Sequence, residues 1–576
     1  MSDFVTRDET SSDQAAQLDS FQKKVQQLAE RVLSEKVQAK LGEAPAGAAG
    51  HAVFLSVCDG SRRAFVYNGV GRTLSAAWKS AVKAARKDVA KGKLAPLWIR
   101  ADVVRKSGWY ALQDVCETLS KTRSGGFRYG VAFDEGYNIA LLDEELNGSA
   151  IFQYEKGAFS KKHLDRQLRW TGRPQLMRHP QTCILFRCRS WFCGEEGTVY
   201  ALGSGKLGRG QKTCKRADAS AVQELLFKSS GFLMRQAQED GTFAYGYYPR
   251  FDRKIEGYNL LRHAGTIWAL LCRYQMEPSE DLAALLHRAI QYLANQAVFQ
   301  DAETAYLYEK ESGELKLGAC GIAIVAMVTY MEVFHNHDYR KLCCQLGNAI
   351  LRQQNQETGA YTHVLNPDFT VKSDFRTVYY DGEATFALTR LYDMTGQLKW
   401  LEGASRAADH FLAEDYTQYK DHWISYAMNE LTRQLPQRQD YLNFALRNAQ
   451  RNLKVIYRQE TAAHTSLELL MAAFETYLRA VDTGRNVENF ALEFFLQTVC
   501  MRVHRQMEGF FGPETAMYMK NPARILNSFM IRQDQYRVRI DDVQHNIGGL
   551  YLYWKHYDRL VALGMPTDVK ELPPVK

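Results

Sequence analysis

Six helix endings recur along the C-terminal two-thirds of the chain, and they limit its fold more than any single motif does. Three are closely similar: FLMRQAQEDGTFAYGYYP around Gly241, ILRQQNQETGAYTHVLNP around Gly359 and VHRQMEGFFGP around Gly509. Degraded versions stand at AVFQDAETAYLYE near residue 303, DYTQYKDHWIS near 420 and VIYRQETAAHTS near 460, so the endings lie roughly 62, 56, 61, 40 and 49 residues apart. That spacing is about one helical hairpin plus its loop, a unit that buries its apolar face only against its neighbours. Six hairpins in series predict a closed (α/α)6 toroid, because closing the ring buries both terminal hairpins and removes the need for capping repeats.

The stretches between the endings fit that reading. Small residues crowd GACGIAIVAM (318–327) and HAGTIWALL (263–271), as helices lining an axis require, whereas residues 338–354 carry charge on one face, as an outer helix does. The segment YYDGEATFALTRLYDMTGQLKW opens with Tyr379, Tyr380, Asp381 and Glu383. It then runs with Ala384, Leu388 and Leu391 on one face and stops at Thr395-Gly396.

The first 218 residues have a different character. Residues 1 to about 14 read as disordered; Leu18, Phe21, Val25, Leu28 and Val32 form the apolar face of a helix over Ala15–Leu41. That helix can dock on its own domain or pair with a second copy, which makes it the one candidate for homo-oligomer formation. Residues 44–50 read as a linker. Strand and helix signals then mix over residues 51–218, predicting an α+β domain, with the toroid over 219–562 and a tail at 563–576. The strand, the glycine-bearing loop and the helix TLSAAWKSAVKAARKD are similar to the AMMECR-type α+β family. Tyr67-Asn68-Gly69 stands where that family has a glycine-cysteine motif, so no residue is carried over.

Charge and cysteine usage narrow the partners. The net charge of +8 is concentrated between Ile151 and Arg216, where 14 Lys and Arg face four acids. The loop GSGKLGRGQK there offers Lys206, Arg209 and Lys212 to a phosphate, but it lacks the Gly-Lys-Ser/Thr of a P-loop, and the segment lacks the interleaved aromatics of a base-stacking groove. A nucleic-acid partner is therefore not expected. Eleven cysteines, an odd number, and a start without the basic and apolar regions of a signal peptide give the expectation of a cytoplasmic protein with reduced thiols. Cys183, Cys188 and Cys193 are spaced by four residues rather than as CxxC, so no metal site and no cofactor are read from them. No uncharged apolar stretch approaches eighteen residues, so no membrane span is expected.

Candidate site residues gather at the starts of the predicted inner helices. Asp381 and Glu383 stand where a helix dipole favours a carboxylate base or nucleophile, with Tyr379 and Tyr380 as stacking faces for a sugar ring. Tyr258, Asn259, Arg262 and His263 precede the helix carrying Trp268; Arg262 can clamp a carboxylate and His263 can exchange a proton. Asp541 and His545 open the last helix, which closure of the ring would bring beside the first. Asp421, His422, Trp423, His464 and Glu430 complete the set.

Residues 219–562 resemble the six-hairpin toroid superfamily of glycoside hydrolases, unsaturated glucuronyl hydrolases, N-acylglucosamine 2-epimerases and glucuronyl C5-epimerases. The resemblance rests on the Gln-x-x-Gly-x-aromatic endings (Gln238–Phe243, Gln356–Tyr361, Gln506–Phe511) and on Tyr380-Asp381-Gly382-Glu383-Ala384. It implies an enzyme acting on a carbohydrate, expected to be anionic, by hydrolysis, elimination or epimerisation. A non-catalytic glycan-binding or polysaccharide-assembly protein is the alternative, and a phosphate- or nucleic-acid-binding protein the second.

Overall fold

A computed structural model describes residues 5–35, 37, 50–121, 129–153, 156–204, 210–213, 216–373, 375–487 and 489–573. Most of the 44–50 linker, and Lys206 and Arg209 of the basic loop, lie outside the described residues.

Helix α1 (Val5–Val32) begins ten residues before the expected Ala15, within the stretch read as disordered. Strands β1 (His51–Cys58) and β2 (Phe65–Gly71), helix α2 (Leu74–Val89) and strand β3 (Trp98–Ala111) follow. The Thr73 side chain caps α2 by accepting from the Ala76 N–H, a bond of a type worth about 1 kcal/mol. Helix α3 (Leu112–Lys121), strands β4 (Gly130–Ala132) and β5 (Ala140–Leu141), helix α4 (Lys161–Trp170) and strands β6 (Thr182–Cys193) and β7 (Val199–Ala201) complete the region. The antiparallel sheet runs β2-β1-β3-β6-β4-β5, with β7 on β6.

The two-residue period of β1 divides the burial. Val53, Leu55 and Val57 pack under α2 and the α1 residues Phe21, Val25, Leu28 and Val32, while Ala52, Phe54 and Cys58 belong to the core shared with the helical region. The apolar face of α1 is thus spent on its own sheet, which removes the basis for pairing copies through it. Both faces of the sheet are covered, rather than helices on one face only.

The described residues of the helical region form twelve long helices: α5 (Ala219–Gln236), α6 (Leu260–Met276), α7 (Glu280–Ala294), α8 (Leu317–Phe334), α9 (Arg340–Arg352), α10 (Tyr380–Thr395), α11 (Leu398–Ala413), α12 (His422–Gln434), α13 (Gln439–Arg458), α14 (Thr465–Asp482), α15 (Leu492–Met507) and α16 (Ile540–Ala562). The even-numbered helices pack in sequence, α6 on α8, α8 on α10, then α12, α14 and α16, and α16 returns to α6. The odd-numbered helices pack outside them, so the ring is an (α/α)6 toroid. Each of the six recurrent endings follows an outer helix. Gly241 and Gly359 both adopt a left-handed backbone (φ +86° and +78°), each inside a turn closed by a bridge, Ala237 to Phe243 and Gln354 to Tyr361. The Gly509 ending lacks that conformation, and Phe510 bridges to Phe529 instead.

Helix α8 is apolar all round because inner helices flank it on both sides. A Cβ at Gly321 would stand 2.8 Å from the Glu383 backbone, so α8 and α10 approach closely only with glycine there. Helix α8 is long and apolar enough to cross a membrane, but 83% of it is buried inside the protein, as in a core helix, in keeping with the expectation of no membrane span.

A buried polar network joins the sheet to the toroid. Arg100 bonds Asp102 and, at 2.7 Å, Glu144; it also donates to the carbonyls of Gly210 and Glu514. Arg250, fully buried, donates to the carbonyls of Asn147, Tyr518 and Glu144. Ser56 and Tyr518 share a hydroxyl hydrogen bond of 2.9 Å. Removing one charge from such a network costs about 3–5 kcal/mol, because it strands the other.

Candidate functional site

Inner helices of a toroid run parallel, so all six N-termini open on one mouth. Four connections there are long, 237–259, 295–316, 353–379 and 508–539, and two are short, 414–421 and 459–464; those at the other mouth have two to nine residues. Three clusters form at the mouth with the long loops.

The first is a set of histidines around Glu468. Glu468 on α14 is fully buried; its Oε2 lies 2.8 Å from Nδ1 of His545 on α16 and 3.8 Å from Nε2 of His422 on α12. Its Oε1 accepts from the Tyr426 hydroxyl at 3.3 Å. His464 stacks on His545 with centroids 5.3 Å apart, and the His422 ring meets His545 edge-on at 5.0 Å. Neither His422 ring nitrogen has a hydrogen-bond partner, although the side chain is fully buried. Burial lifts the Glu468 carboxyl above its usual range. Burial alone would lower His545, but Glu468, with Asp541 and Asp542, carries it above the ordinary imidazole value. Burial and the neighbouring His545 hold His422 well below that value and His464 down to about 3. The site therefore sets two imidazoles whose affinity for a proton is lowered against one whose affinity is raised.

The second cluster is three carboxylates. Asp381 is bound by Arg376 at 2.8 Å and His363 at 3.1 Å, and Arg376 in turn stacks on Tyr416 and Tyr419. Asp421 caps α12 through Oδ1, with Trp423 N–H at 2.8 Å, while its Oδ2 has no partner; burial pushes it up to about 7. Burial, then Asp421 and Asp381, push Glu383 well above the carboxylate range, which favours its neutral form. The dipole argument for an ionised Glu383 is thus overridden by desolvation. A Cβ at Gly318 would stand 2.1 Å from Glu383 Oε2, so the glycine makes room for this acid. Tyr379, which starts α10 with a left-handed backbone (φ +88°), faces His422 at 5.1 Å. Tyr380 is half-buried beside His363.

The third cluster is Arg262, 3.0 Å from Asp541, which also binds Arg539 at 3.0 Å. The first and last inner helices do meet, but through Arg262 rather than His263. His263 points to the outer layer: its Nε2–H donates to the Ala289 carbonyl, and its Nδ1 accepts from the Tyr258 hydroxyl at 2.7 Å. Burial holds it neutral, down to about 4. His263 and Tyr258 therefore form an inner-to-outer helix tie, and Asn259 caps α6 by accepting from the Arg262 N–H. Trp423 is buried and Trp268 lies deeper in the ring, packed on Trp423, Tyr426 and Phe386.

Glu468, His363 and Arg376 were not among the expected site residues. The signal for Glu468 was its four-residue spacing from His464 just past the helix ending near 460. His422, Glu468 and His545 offer ligand atoms all within 4.8 Å of one another, a His2Glu set suited to a zinc-like cation. The expectation of no metal, drawn from cysteine and histidine spacing along the chain, missed this grouping, whose members are distant in sequence and meet only through the fold.

No family model matches the chain, and no curated protein matches it in sequence. Solved structures do match at low identity. A sugar epimerase from a ruminal bacterium is 12% identical over 59% of this chain and 98% of its own, with a TM-score of 0.44. Cellobiose 2-epimerase from Bacillus thermoamylovorans is 13% identical over 58% and 99%, with a TM-score of 0.45. An unsaturated glucuronyl hydrolase specific for heparin is 10% identical over 59% and 98%, with a TM-score of 0.43.

Proposed function

We propose that this protein is a carbohydrate-active enzyme that moves a proton on a sugar bound at the long-loop mouth, as in epimerisation. The observation that supports this most is the 2.8 Å Glu468–His545 hydrogen bond, which favours a proton on that imidazole, set beside the buried His422 ring, neither of whose nitrogens has a hydrogen-bond partner. A proton donor and a proton acceptor held by different helices are what abstraction beside a carbonyl and redelivery require. His545 is the donor, Glu468 orients and charges it, and His422 is the acceptor. Glu383 is a second neutral donor for a sugar oxygen, and Tyr379 and Tyr380 offer ring faces.

The pairing of the cations at this mouth supports a neutral substrate. Arg262, Arg539, Arg376 and Lys316 each already hold a carboxylate, Asp541 for the first two, Asp381 for Arg376 and Glu309 for Lys316. Arg262 is thus not the free clamp expected for an anionic sugar, and a neutral reducing sugar suits the mouth better.

The test is proton NMR of neutral reducing sugars incubated in D2O with the protein. Exchange of a carbon-bound hydrogen beside the carbonyl, with a new epimer, is expected; cleavage of oligosaccharides without exchange would replace this reading with hydrolysis. A second reading, metal-assisted chemistry at the same residues, is favoured by the His2Glu grouping. Metal analysis of the purified protein and activity after chelation separate the two.

A further inference from the structure

The opposite mouth of the ring holds a cavity of its own. It has a volume of about 270 Å³ and is lined from all six inner helices. Its apolar walls are Trp268, Phe386 and Tyr426 below and Tyr551 and Leu552 above; Gln275, Thr329 and Asn429 add hydrogen-bonding groups. The short connections at this mouth, such as 277–279 and 396–397, do not reach across the axis. The cavity is separated from the long-loop mouth by the aromatic layer in which Trp268 packs on Trp423 at 5.6 Å and on Tyr426 at 5.5 Å.

The charges lining it are internally matched. Arg390 holds Glu332 with both carboxylate oxygens, Lys555 and His556 hold Glu475, and Arg433 holds Glu430. A charged ligand would have to break one of these pairs, whereas a neutral one would not. Aromatic faces with amide and hydroxyl groups around them fit a ring that is apolar on its faces and polar at its edge, and the volume lies near the lower end for small-molecule sites, about 300 Å³.

We propose that this cavity is a second binding site, for a neutral polyhydroxylated ring of monosaccharide size, distinct from the long-loop mouth. It communicates with that mouth through Tyr426, whose ring lines the cavity and whose hydroxyl donates to Glu468. Gly548 marks the same junction: it lines the cavity, and a Cβ there would stand 2.5 Å from Glu468 Oε1. A ligand that shifts the Tyr426 ring therefore alters the hydrogen bonding of the carboxylate that charges His545.

The test is calorimetric titration of the full-length protein with D-glucose, D-mannose and N-acetyl-D-glucosamine. It uses the wild type, Leu552→Trp and Gln275→Ala at the short-loop mouth, and His545→Gln at the other. At least one of these sugars is expected to bind wild type and His545→Gln with affinities within threefold. Leu552→Trp, which fills the cavity, should weaken it at least tenfold, and Gln275→Ala several-fold, with unchanged melting temperatures. Binding that His545→Gln abolishes and both short-loop variants leave intact would place the sugar at the long-loop mouth alone and overturn the proposal. So would the absence of binding by all three sugars at millimolar concentration. Absence of D2O exchange by the wild type together with this binding would count against the proposed reaction only.

Discussion

The two mouths of the ring are built from the same six helices and differ in how their polar groups are satisfied. At the short-loop mouth every acid lining the cavity has a cation, as in Glu475 with Lys555 and His556. At the long-loop mouth Glu383 Oε2, Asp421 Oδ2 and both nitrogens of His422 are buried without a hydrogen-bond partner. Buried polar groups are ordinarily paired because leaving one unpaired costs about 1–3 kcal/mol. The contrast separates a mouth finished for stability from one that keeps donors and acceptors in reserve for something that enters it. The loops follow the same division, since long connections supply Arg376, His363 and Arg539 where short ones could not.

Breaking the reserved side should have the largest effect. Glu468→Gln removes the charge that holds the proton on His545, and D2O exchange is expected to fall by about 10²–10⁴-fold while the fold persists. Gly318→Ala drives a methyl group toward Glu383 and should destabilise by about 1–3 kcal/mol in a denaturant titration, the scale of overpacking. Glu383→Gln sharpens the comparison through pH. The folded chain binds this proton more tightly than the unfolded chain does. Its contribution to stability is therefore full below the ordinary value of 4.5 and is lost as pH rises toward the folded value. The amide does not ionise, so the variant is expected to melt roughly 1–3 °C above wild type at pH 8 and level with it at pH 4. Lys555→Ala, on the satisfied mouth and half exposed, should cost less than about 1 kcal/mol.

The ring was legible in the sequence because its signal is repeated. Glycine-aromatic endings close the outer helices, and small residues at 318–327 mark an inner helix that must pack tightly on both sides. Periodicity likewise revealed β1 and α2, but not that the far face of β1 would meet the toroid, since alternation with both faces buried carries no partner's name. The site was legible by position rather than by role. Asp381, Glu383, Arg262, Asp541 and His545 do stand at inner-helix starts, yet which are locked depends on residues distant in sequence. Asp381 is tied by Arg376 and His363, and His263 is turned outward by a carbonyl on α7. Glu468 was missed because a glutamate one turn into a helix looks like a solvated residue until its neighbours bury it. The Arg100–Asp102–Glu144 network was missed for the same reason: Glu144 lies 44 residues from Arg100 along the chain and meets it only through the fold.

The charge state of His545 and His422 tests the central claim most directly. Histidine-labelled protein can be titrated by NMR between pH 4 and 9, beside Glu468→Gln. His545 is expected to titrate above 6.5 and to move downward in the variant, while His422 titrates well below 6.5. A His545 that titrates at or below 6.5, or that is indifferent to Glu468→Gln, would contradict a proton held between these two residues.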